Sequence, residues 1–426
     1  MNVVNSRKNF IFSGYDTVEL AKKHGTPLYV ISREVIKNKC KEIRNDFLYK
    51  YDNTKAVYAG KAFLTMAMCR IIEEEGLGLD VVSGGELYTA IKADFPMRDV
   101  IFHGNNKSTD EIKMAIENNA GRIVIDHMDE ISMIEDIASN FNKKVKVLIR
   151  VTPGVNSNTH KYISTGQRDS KFGVPIDNIH EVVSKTLCSE HIELMGFHFH
   201  IGSGLYENVS HISAVKALLK IIKIIKDDLG FITKELNTGG GFGIYYTKKD
   251  CVKPISYYTD SIMETLYKYC NELDLDIPKV TIEPGRWIIG EAGITLYTIG
   301  AIKEIPGIRT YVSVDGGLPD NPRPALYEAK YEAVIANKYN EKPEMIVTIA
   351  GKCCETGDIL IHDLSVPEVC KGDVLVVIST GAYNYSMASN YNKLPRPAVV
   401  LLDEDEEKII VNRETYDDIL KNENMI

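Results

Sequence analysis

The chain has no long hydrophobic run, and no segment reaches the roughly 18 uninterrupted apolar residues that a membrane-spanning helix requires. Its first residues lack the long apolar core of a secretory signal peptide. Long basic runs are absent too, and the formal net charge is −9. These absences disfavour a membrane or a nucleic acid as the main partner, and we expect a cytoplasmic protein.

The eight cysteines show neither CxxC spacing nor the pattern of a disulfide framework. Cys353 and Cys354 are adjacent, an arrangement that suits neither an ordinary disulfide nor a zinc site. We therefore expect reduced thiols and no metal site.

What the chain does contain is an alternation of short apolar strands and helix-patterned stretches between about residues 55 and 285. Eight candidate strands begin at Lys55, Leu79, Val100, Arg122, Val145, Leu194, Leu236 and Val280. Strand and helix alternating eight times predicts an α/β fold, a parallel (β/α)8 TIM-like barrel of roughly 250 residues. An open, doubly wound sheet uses the same units and is the alternative.

Beyond Arg286 the pattern changes, and strand-like runs dominate at residues 295–299, 311–314, 345–349, 374–378 and 398–402. This pattern predicts a second, mostly antiparallel β domain. Residues 27–31 form one further strand. We place an N-terminal strand segment that packs with the β domain at residues 1–33, the barrel at 34–288 and the β domain at 289–426.

Lys61 follows the first candidate barrel strand, at the end where a barrel carries its active site. Most lysines are exposed, so a surface position is the ordinary interpretation. In a pocket, however, desolvation favours the neutral amine, which forms a Schiff base with an aldehyde.

A glycine-rich loop (Gly-Gly-Gly-Phe-Gly, residues 239–243) follows the seventh candidate strand. Its backbone N–H groups suit an anion, and barrels often hold a phosphate near strands seven and eight. Ser203, after the sixth strand, would add a hydroxyl group. A simple tight turn is the alternative.

Three more polar residues stand at strand ends. Glu283 ends the eighth strand and would pair with a protonated ring nitrogen. His200 ends the sixth, where an imidazole would stack on an aromatic cofactor, and Asp80 ends the second, where it would hold a lysine or histidine in place. Each has a structural alternative, but together with Lys61 they predict a pyridoxal phosphate site.

The β domain supplies further candidates, which are Arg323, Tyr327, Cys354, Glu355 and Tyr383. Arg323 and Tyr327 are four residues apart and would share one face of a short helix. Arg286 and Arg323 suit a substrate with carboxylates, because guanidinium binds carboxylate through two hydrogen bonds.

In the order and combination of these motifs, the chain resembles the diaminopimelate decarboxylase family of fold-type III pyridoxal phosphate enzymes over nearly its full length. The matching stretches are residues 58–62, 79–87, 103–107, 170–173, 198–203, 239–243, 283–286, 320–324, 354–355 and 381–383. The resemblance implies that Lys61 holds pyridoxal 5'-phosphate, that His200 stacks on its ring and that Glu283 pairs with the ring nitrogen.

The resemblance also assigns the remaining positions. Other cofactor-binding residues would be Asp80, Ser203, Gly240, Gly241, Phe242, Gly243, Pro284, Gly285, Arg286 and Tyr383. Substrate would contact Arg286, Arg323, Tyr327, Glu355 and Tyr383. Cys354 would donate a proton to the decarboxylated carbon. Its loop would reach the active site of the partner subunit, so the active unit would be a homodimer with shared active sites.

The activity implied is decarboxylation of meso-2,6-diaminopimelate to L-lysine and CO₂, the last step of lysine biosynthesis. Gly204 departs from this family and agrees with ornithine-type relatives. Glu355 and Arg323 favour diaminopimelate, because ornithine and lysine have no distal carboxylate for Arg323 to bind. The alternatives are a decarboxylase of ornithine, lysine, arginine or carboxynorspermidine, a racemase of the same fold, and a catalytically inactive binding protein.

Overall fold

The computed structural model describes residues 9–154, 170–404 and 406–426. The chain divides into two compact units. The barrel unit comprises Lys39–Ile244 and Cys251–Ile288, and the β unit comprises the described parts of Met1–Asn38, Tyr245–Asp250 and Ile289–Ile426. Over the described residues, none of the helices combines the length and the hydropathy needed to cross a bilayer.

The N-terminal part of the described chain holds five elements, β1 (Ile11–Phe12), β2 (Tyr15–Asp16), α1 (Thr17–His24), β3 (Leu28–Ser32) and α2 (Arg33–Ile43). Helix α1 begins where it does because the Asp16 side chain accepts hydrogen bonds from the N–H groups of Val18 and Glu19.

The described residues of the barrel unit form nine parallel strands, β4 (Thr54–Ala59), β5 (Gly78–Val81), β6 (Val100–Phe102), β7 (Arg122–Ile125), β8 (Val145–Thr152), β9 (Val174–Pro175), β10 (Ile192–His198), β11 (Glu235–Asn237) and β12 (Lys279–Ile282). The helices between or after them are α3 (Met66–Glu74), α4 (Gly84–Lys92), α5 (Thr109–Glu117), α6 (Asp129–Asn140), α7 (Ile179–Leu187), α8 (Val209–Leu229), α9 (Ile255–Glu272) and α10 (Arg286–Ile289).

Eight of these strands close into a ring in the order β4, β5, β6, β7, β8, β10, β11, β12. Strand β10 pairs with both β8 and β11, and β12 pairs with β4, so no edge remains in the ring. All eight predicted barrel strands are therefore confirmed, and the alternative of an open, doubly wound sheet is wrong. Apolar side chains from five of the eight strands form one buried cluster: Val57, Ile101, Val124, Leu148 and Met195.

The β unit adds strands β13 (Gly293–Ile305), β14 (Arg309–Val314), β15 (Ala333–Ile335), β16 (Met345–Ala350), β17 (Ile359–Val366), β18 (Val374–Val377), β19 (Ala398–Asp403) and β20 (Glu406–Val411), with short helices α11 (Arg323–Tyr327) and α12 (Tyr416–Leu420). The main strand order is β17, β16, β14, β13, β3, β19, β20, and β18 pairs with β13 and β15. Only the β14–β16 and β3–β19 pairs are parallel, as expected for a mostly antiparallel sheet.

Strand β3 lies between β13 and β19, so the N-terminal strand belongs to the sheet of the β unit. The five strands predicted beyond residue 290 are present, whereas β15, β17 and β20 were not predicted. Strand β13 carries a bulge between Ile299 and Ile302, which lets one long strand pair with β3 and β18 at its start and with β14 at its end.

Candidate active site

The carboxyl ends of the barrel strands gather the charged and polar side chains of the barrel unit. Lys61 lies in a single 3₁₀ turn, Gly60–Ala62, directly after β4, and its side chain is half-buried. The turn is held by the Tyr58 hydroxyl, which donates to the carbonyl of Phe63 at 2.7 Å. Because its neighbours are buried and bonded, the lysine leaves the strand at a fixed position.

Glu283, directly after β12, is the carboxylate at the centre of this end of the barrel, and it is 7% exposed. The amide of Asn237 donates to its Oε1 at 2.7 Å, and the Nε2 atom of His103 lies 2.9 Å from the same oxygen. The Nε2 atom of His198 lies 3.2 Å from Oε2. Three groups on β6, β10 and β11 or just beyond them therefore orient one carboxylate.

The electrostatics of Glu283 favour its charged form. Burial alone would raise the pKa of this carboxyl, but His103 and His198 outweigh it and hold the pKa well below its usual range. Burial also lowers the pKa of His198 to about 4, so this imidazole is neutral at pH 7 and donates through Nε2. Glu283 is thus an oriented anion, suited to a protonated ring nitrogen.

The side chains of His103, His198 and Glu283 could also act together as metal ligands. The ligand atoms of His103, His198 and Glu283 lie within 4.8 Å of one another, a spacing that a divalent metal ion could bridge. In the structure, Glu283 accepts hydrogen bonds from Asn237 and His198.

Asp80, on β5, is 2% exposed, and its Oδ1 lies 3.8 Å from Nε2 of His103. Burial raises the pKa of Asp80 to about 6, although His103 opposes this shift. The nearest histidine partner is therefore His103, a residue that the sequence analysis did not single out.

His200, just beyond β10, accepts a hydrogen bond at Nδ1 from the N–H of Gly240 at 3.3 Å. Burial and the positive charges of Lys61 and Arg150 hold the pKa of His200 well below its usual range. The ring is consequently a neutral, oriented plane. Such a plane suits stacking against an aromatic group.

The glycine-rich loop fits a phosphate. A Cβ atom on Gly240 would lie 2.1 Å from the carbonyl oxygen of Glu283, and one on Gly241 would lie 2.2 Å from that of Gly202. Only glycine allows this close backbone approach. Among the described residues, the N–H groups of Gly241 and Phe242 donate to no partner, so both remain for an anion.

Two side chains complete this anion cradle. The Ser203 hydroxyl lies 3.4 Å from Nε and 3.3 Å from Nη2 of Arg286, which is 8% exposed. Pro284 precedes this arginine, and its carbonyl accepts from the N–H of Ala59 at 3.4 Å, which ties the segment of residues 283–286 to β4. With Gly243 and Gly285 in the same two segments, these groups fit a phosphate monoester.

In the β unit, Arg323 begins α11, so the predicted helical spacing to Tyr327 is present. Arg323 is 7% exposed, and its Nη1 donates to the hydroxyl groups of Tyr331 at 2.7 Å and Tyr246 at 3.0 Å. The rings of Tyr246, Tyr331 and Tyr383 lie 5.4, 5.8 and 6.0 Å from the guanidinium carbon. Among the described residues it has no carboxylate partner.

Cys354 and Glu355 lie on the loop between β16 and β17, and both are exposed. The hydrogen bonds that hold this loop include three made by Cys353, Cys354 and Glu355. The N–H of Cys354 donates to Oδ1 of Asn392 at 2.8 Å, the N–H of Cys353 donates to Asp358 at 2.8 Å, and the Tyr391 hydroxyl donates to Glu355 at 3.4 Å.

The two adjacent thiols differ in their surroundings. Cys353 is partly buried, and burial followed by the charge of Asp358 raises the pKa of its thiol to about 12. Cys354 is the exposed thiol of the pair. The loop therefore presents Cys354, and not Cys353, to its surroundings.

Four residues of the site were not predicted from the sequence, and they are His103, His198, Asn237 and Arg150. The first two follow or end β6 and β10, so the reasoning on strand ends that selected His200 would have found them too. Asn237 ends β11 in the same way. Arg150 lies within β8, where nothing in the sequence separates it from an ordinary surface arginine.

A parallel eight-stranded barrel with a lysine, an anionic carboxylate and a phosphate cradle at its carboxyl ends defines a pyridoxal phosphate enzyme. In agreement, residues 33–290 match the model of the pyridoxal-dependent decarboxylases, pyridoxal binding domain.

The diaminopimelate decarboxylase of Bacillus subtilis (strain 168) is 48% identical over 419 residues, covering 98% of this chain and 95% of that protein. The structure of a diaminopimelate decarboxylase from M. jannaschii in complex with L-lysine is 35% identical and superposes with a TM-score of 0.93, covering 99% of this chain and 97% of the other. A lysine/ornithine decarboxylase from Vibrio vulnificus, solved with putrescine, shares the fold at 20% identity and a TM-score of 0.77, with 91% of this chain and 98% of the other covered.

The chain belongs to the pyridoxal-dependent decarboxylases, and within them to the diaminopimelate decarboxylase family. It is a carboxy-lyase, and its cofactor is pyridoxal 5'-phosphate.

Proposed function

We propose that this enzyme decarboxylates meso-2,6-diaminopimelate to L-lysine and CO₂, the last step of lysine biosynthesis, and that it does so in the cytoplasm. The observation that carries the choice of substrate is Arg323, a buried guanidinium whose partners among the described residues are neutral phenols. A buried cation without a counter-ion is costly, and a distal substrate carboxylate would supply the missing anion.

Bound pyridoxal phosphate supplies the electron sink that lets a carboxylate leave as CO₂. Lys61 would hold the cofactor through its amine. The anionic Glu283 would hold the proton at the ring nitrogen, and the neutral imidazole of His200 would stack on the ring. His103, His198 and Asn237 position Glu283, and Asp80 positions His103.

The phosphate group has its own set of residues. The N–H groups of Gly241 and Phe242 and the side chains of Ser203 and Arg286 bind it, and Gly240 and Gly243 allow the backbone to approach. Since these interactions are formed away from the reacting carbon, their binding energy fixes its position.

The distal end of the substrate is bound by Arg323, assisted by Tyr327, Glu355, Tyr383 and Arg286. Arg323 leaves its Nε–Nη2 edge for a carboxylate, because both hydrogen bonds to the phenols leave from Nη1. Ornithine and lysine carry no carboxylate at that end and would leave the cation unpaired.

Cys354 would donate the proton to the carbon that has lost CO₂. It is exposed on a loop together with Glu355, so we propose that the loop completes the site of a second subunit and that the enzyme is a homodimer with shared active sites.

One observation bears on the rival, a decarboxylase of ornithine or another basic amino acid. Gly204 has φ +73°, a left-handed backbone conformation that glycine adopts more easily than residues with a Cβ atom. Its presence is therefore explained without reference to the substrate.

The test is CO₂ release by the purified holoenzyme with meso-diaminopimelate, ornithine, lysine and arginine side by side. We expect kcat/KM for diaminopimelate to exceed each of the others by at least about 100-fold, since a site built for a polar group strongly rejects analogues that lack it. A preference for ornithine or lysine would overturn the choice of substrate and retain the cofactor. No CO₂ from any of the four would favour the racemase or the inactive binding protein.

A further inference from the structure

The barrel unit contains a cavity of about 430 Å³ that lies away from the cofactor site. Lys55, Arg122 and Lys279, which line it, stand at the first or second residue of β4, β7 and β12. The cavity is therefore at the amino ends of the barrel strands, whereas Lys61 and Glu283 are at the carboxyl ends.

The lining of this cavity is strongly basic. Seven of its eight charged side chains are lysine or arginine, and Asp99 is the one carboxylate. In the chain as a whole the acids outnumber the bases, 59 to 50. The basic residues are thus concentrated against the general charge of the protein.

Three of the seven cations have structural partners. Lys55 pairs with Asp99 at 2.8 Å, and Nε of Arg122 donates to Glu235 at 2.8 Å. Lys143 donates to two carbonyls at the carboxyl end of α5, at 2.8 and 2.9 Å. A cation at this end interacts favourably with the helix dipole. The fold itself accounts for these three.

The other four are not neutralised in this way. Among the described residues, Lys279 makes no ion pair, and Arg98 lies 3.6 Å from Asp99, which already pairs with Lys55. These two cations line the cavity with no carboxylate of their own.

Among the described residues, Lys144 and Lys146 form no ion pair, and the Glu193 carboxylate that they influence already binds a third lysine, Lys234. The hydrogen bond from Lys234, at 3.1 Å, is the main cause that lowers the pKa of Glu193, and Lys146 and Lys144 contribute more weakly. One carboxylate that already binds Lys234 leaves most of the charge of the other two lysines uncompensated.

We propose that this cavity binds a small anion with several phosphate groups, of the class of inorganic triphosphate or a nucleoside triphosphate. Its volume lies in the range of small-molecule sites, roughly 300–1,000 Å³. Several excess cations around one concave space favour clustered negative charges. An extended polyanion is a poorer fit, because it would need a basic stripe along a net acidic protein.

The experiment titrates inorganic triphosphate into the holoenzyme by calorimetry at physiological ionic strength. We expect one saturable site per chain. The variant Lys144→Gln/Lys146→Gln/Lys279→Gln should weaken binding at least about tenfold, since each exposed charge pair contributes a factor of a few. The matched control, Lys41→Gln/Lys220→Gln/Lys268→Gln, removes the same charge from exposed lysines elsewhere on the barrel unit and should leave the affinity unchanged.

Equal weakening by both triple variants, or the lack of saturable binding, would overturn the proposal. Competition by L-lysine would place the triphosphate in the substrate site and overturn it as well. Tighter binding of a short single-stranded DNA than of triphosphate would contradict the assignment to a small anion. Both triple variants should keep the kcat of the unmodified enzyme, because none of the six lysines belongs to the catalytic machinery.

Discussion

The carboxyl end of the barrel and the loop of residues 351–358 carry candidate catalytic residues in opposite surroundings. Glu283 is 7% exposed and accepts hydrogen bonds from Asn237 and His198, whereas Cys354 is exposed and, among the described residues, only its backbone N–H is hydrogen-bonded. A fixed charge must be surrounded by the groups that orient it. A proton donor on an exposed loop gains its surroundings only when something else covers it.

The comparison suggests a division of tasks. In our proposal, residues of the barrel unit would hold the cofactor, and they are oriented by partners within one chain. Residues of the loop would act on the substrate and would complete the site of a partner subunit.

The largest effect is expected for Lys61→Ala. Without the amine that carries the cofactor, kcat should fall by at least about 10³ and the absorbance band of the lysine-bound cofactor should disappear. The measurements are absorbance spectra and turnover rates of the Lys61→Ala and unmodified proteins. Lys41→Ala, at an exposed position, is the control and should change neither the spectrum nor the turnover. Full turnover by the Lys61→Ala protein would contradict the proposal that Lys61 carries the cofactor.

Glu283→Gln should have the next largest effect, a fall in kcat of about 100-fold, because the amide keeps the shape and loses the oriented negative charge. The pKa of Glu283 lies well below its usual range, so the unmodified enzyme should show no loss of kcat assignable to this carboxyl between pH 6 and pH 8. Steady-state kinetics across that range provide the measurement. An unchanged kcat in the variant would mean that the ring nitrogen does not depend on Glu283.

Tyr331→Phe should have a moderate effect that separates binding from chemistry. It removes one hydrogen bond to Arg323 without emptying the space, so KM for diaminopimelate should rise about fivefold while kcat changes little. Tyr416→Phe, at an exposed position, serves as the control. A lower kcat with an unchanged KM would place Tyr331 in a different role.

The smallest effect concerns stability. The hydrogen bond from Arg396 is the main cause that lowers the pKa of Glu414 to about 2, against a usual value near 4.5. A depressed pKa stabilises the fold above pH 4.5, and this contribution is lost as the pH falls towards 2. Glu414→Gln should therefore lower the free energy of unfolding at pH 7 by less than about 1 kcal/mol.

Denaturant titrations of the Glu414→Gln and unmodified proteins at pH 7 and pH 3.5 would measure this difference, which should shrink at the lower pH. A difference that grows on acidification would show the assigned sign to be wrong. Asp417→Asn, an exposed change of the same charge, is the control.

The barrel could be predicted because its eight strands are apolar and separated by helical patterns, so each is visible locally. The missed strands of the β unit carry weaker signals. Strand β15 has three residues and β20 reads Glu-Glu-Lys-Ile-Ile-Val, whose pairing with β19 decides its structure.

Strand ends pointed to Glu283 and His200 as candidate site residues, but the partners of Glu283 and Arg323 were missed, and these partners are distant in the chain. His198 lies 85 positions from Glu283, and Tyr246 lies 77 from Arg323. The fold, and not a local sequence pattern, brings the two residues of each pair into contact. The sequence therefore pointed to Glu283 and Arg323 but not to the residues that contact them.

The most direct test of the division between barrel and loop mixes two inactive variants. Lys61→Ala and Cys354→Ala are each expected to have little activity, the second because it lacks the proton donor, an effect of about 10²-fold or more. If the loop serves the partner's site, refolding or co-expressing the two should yield mixed dimers with one intact site and recover about a quarter of the unmodified activity, from random pairing. Recovery of this size is what the account predicts, and a mixture as inactive as either parent would contradict it.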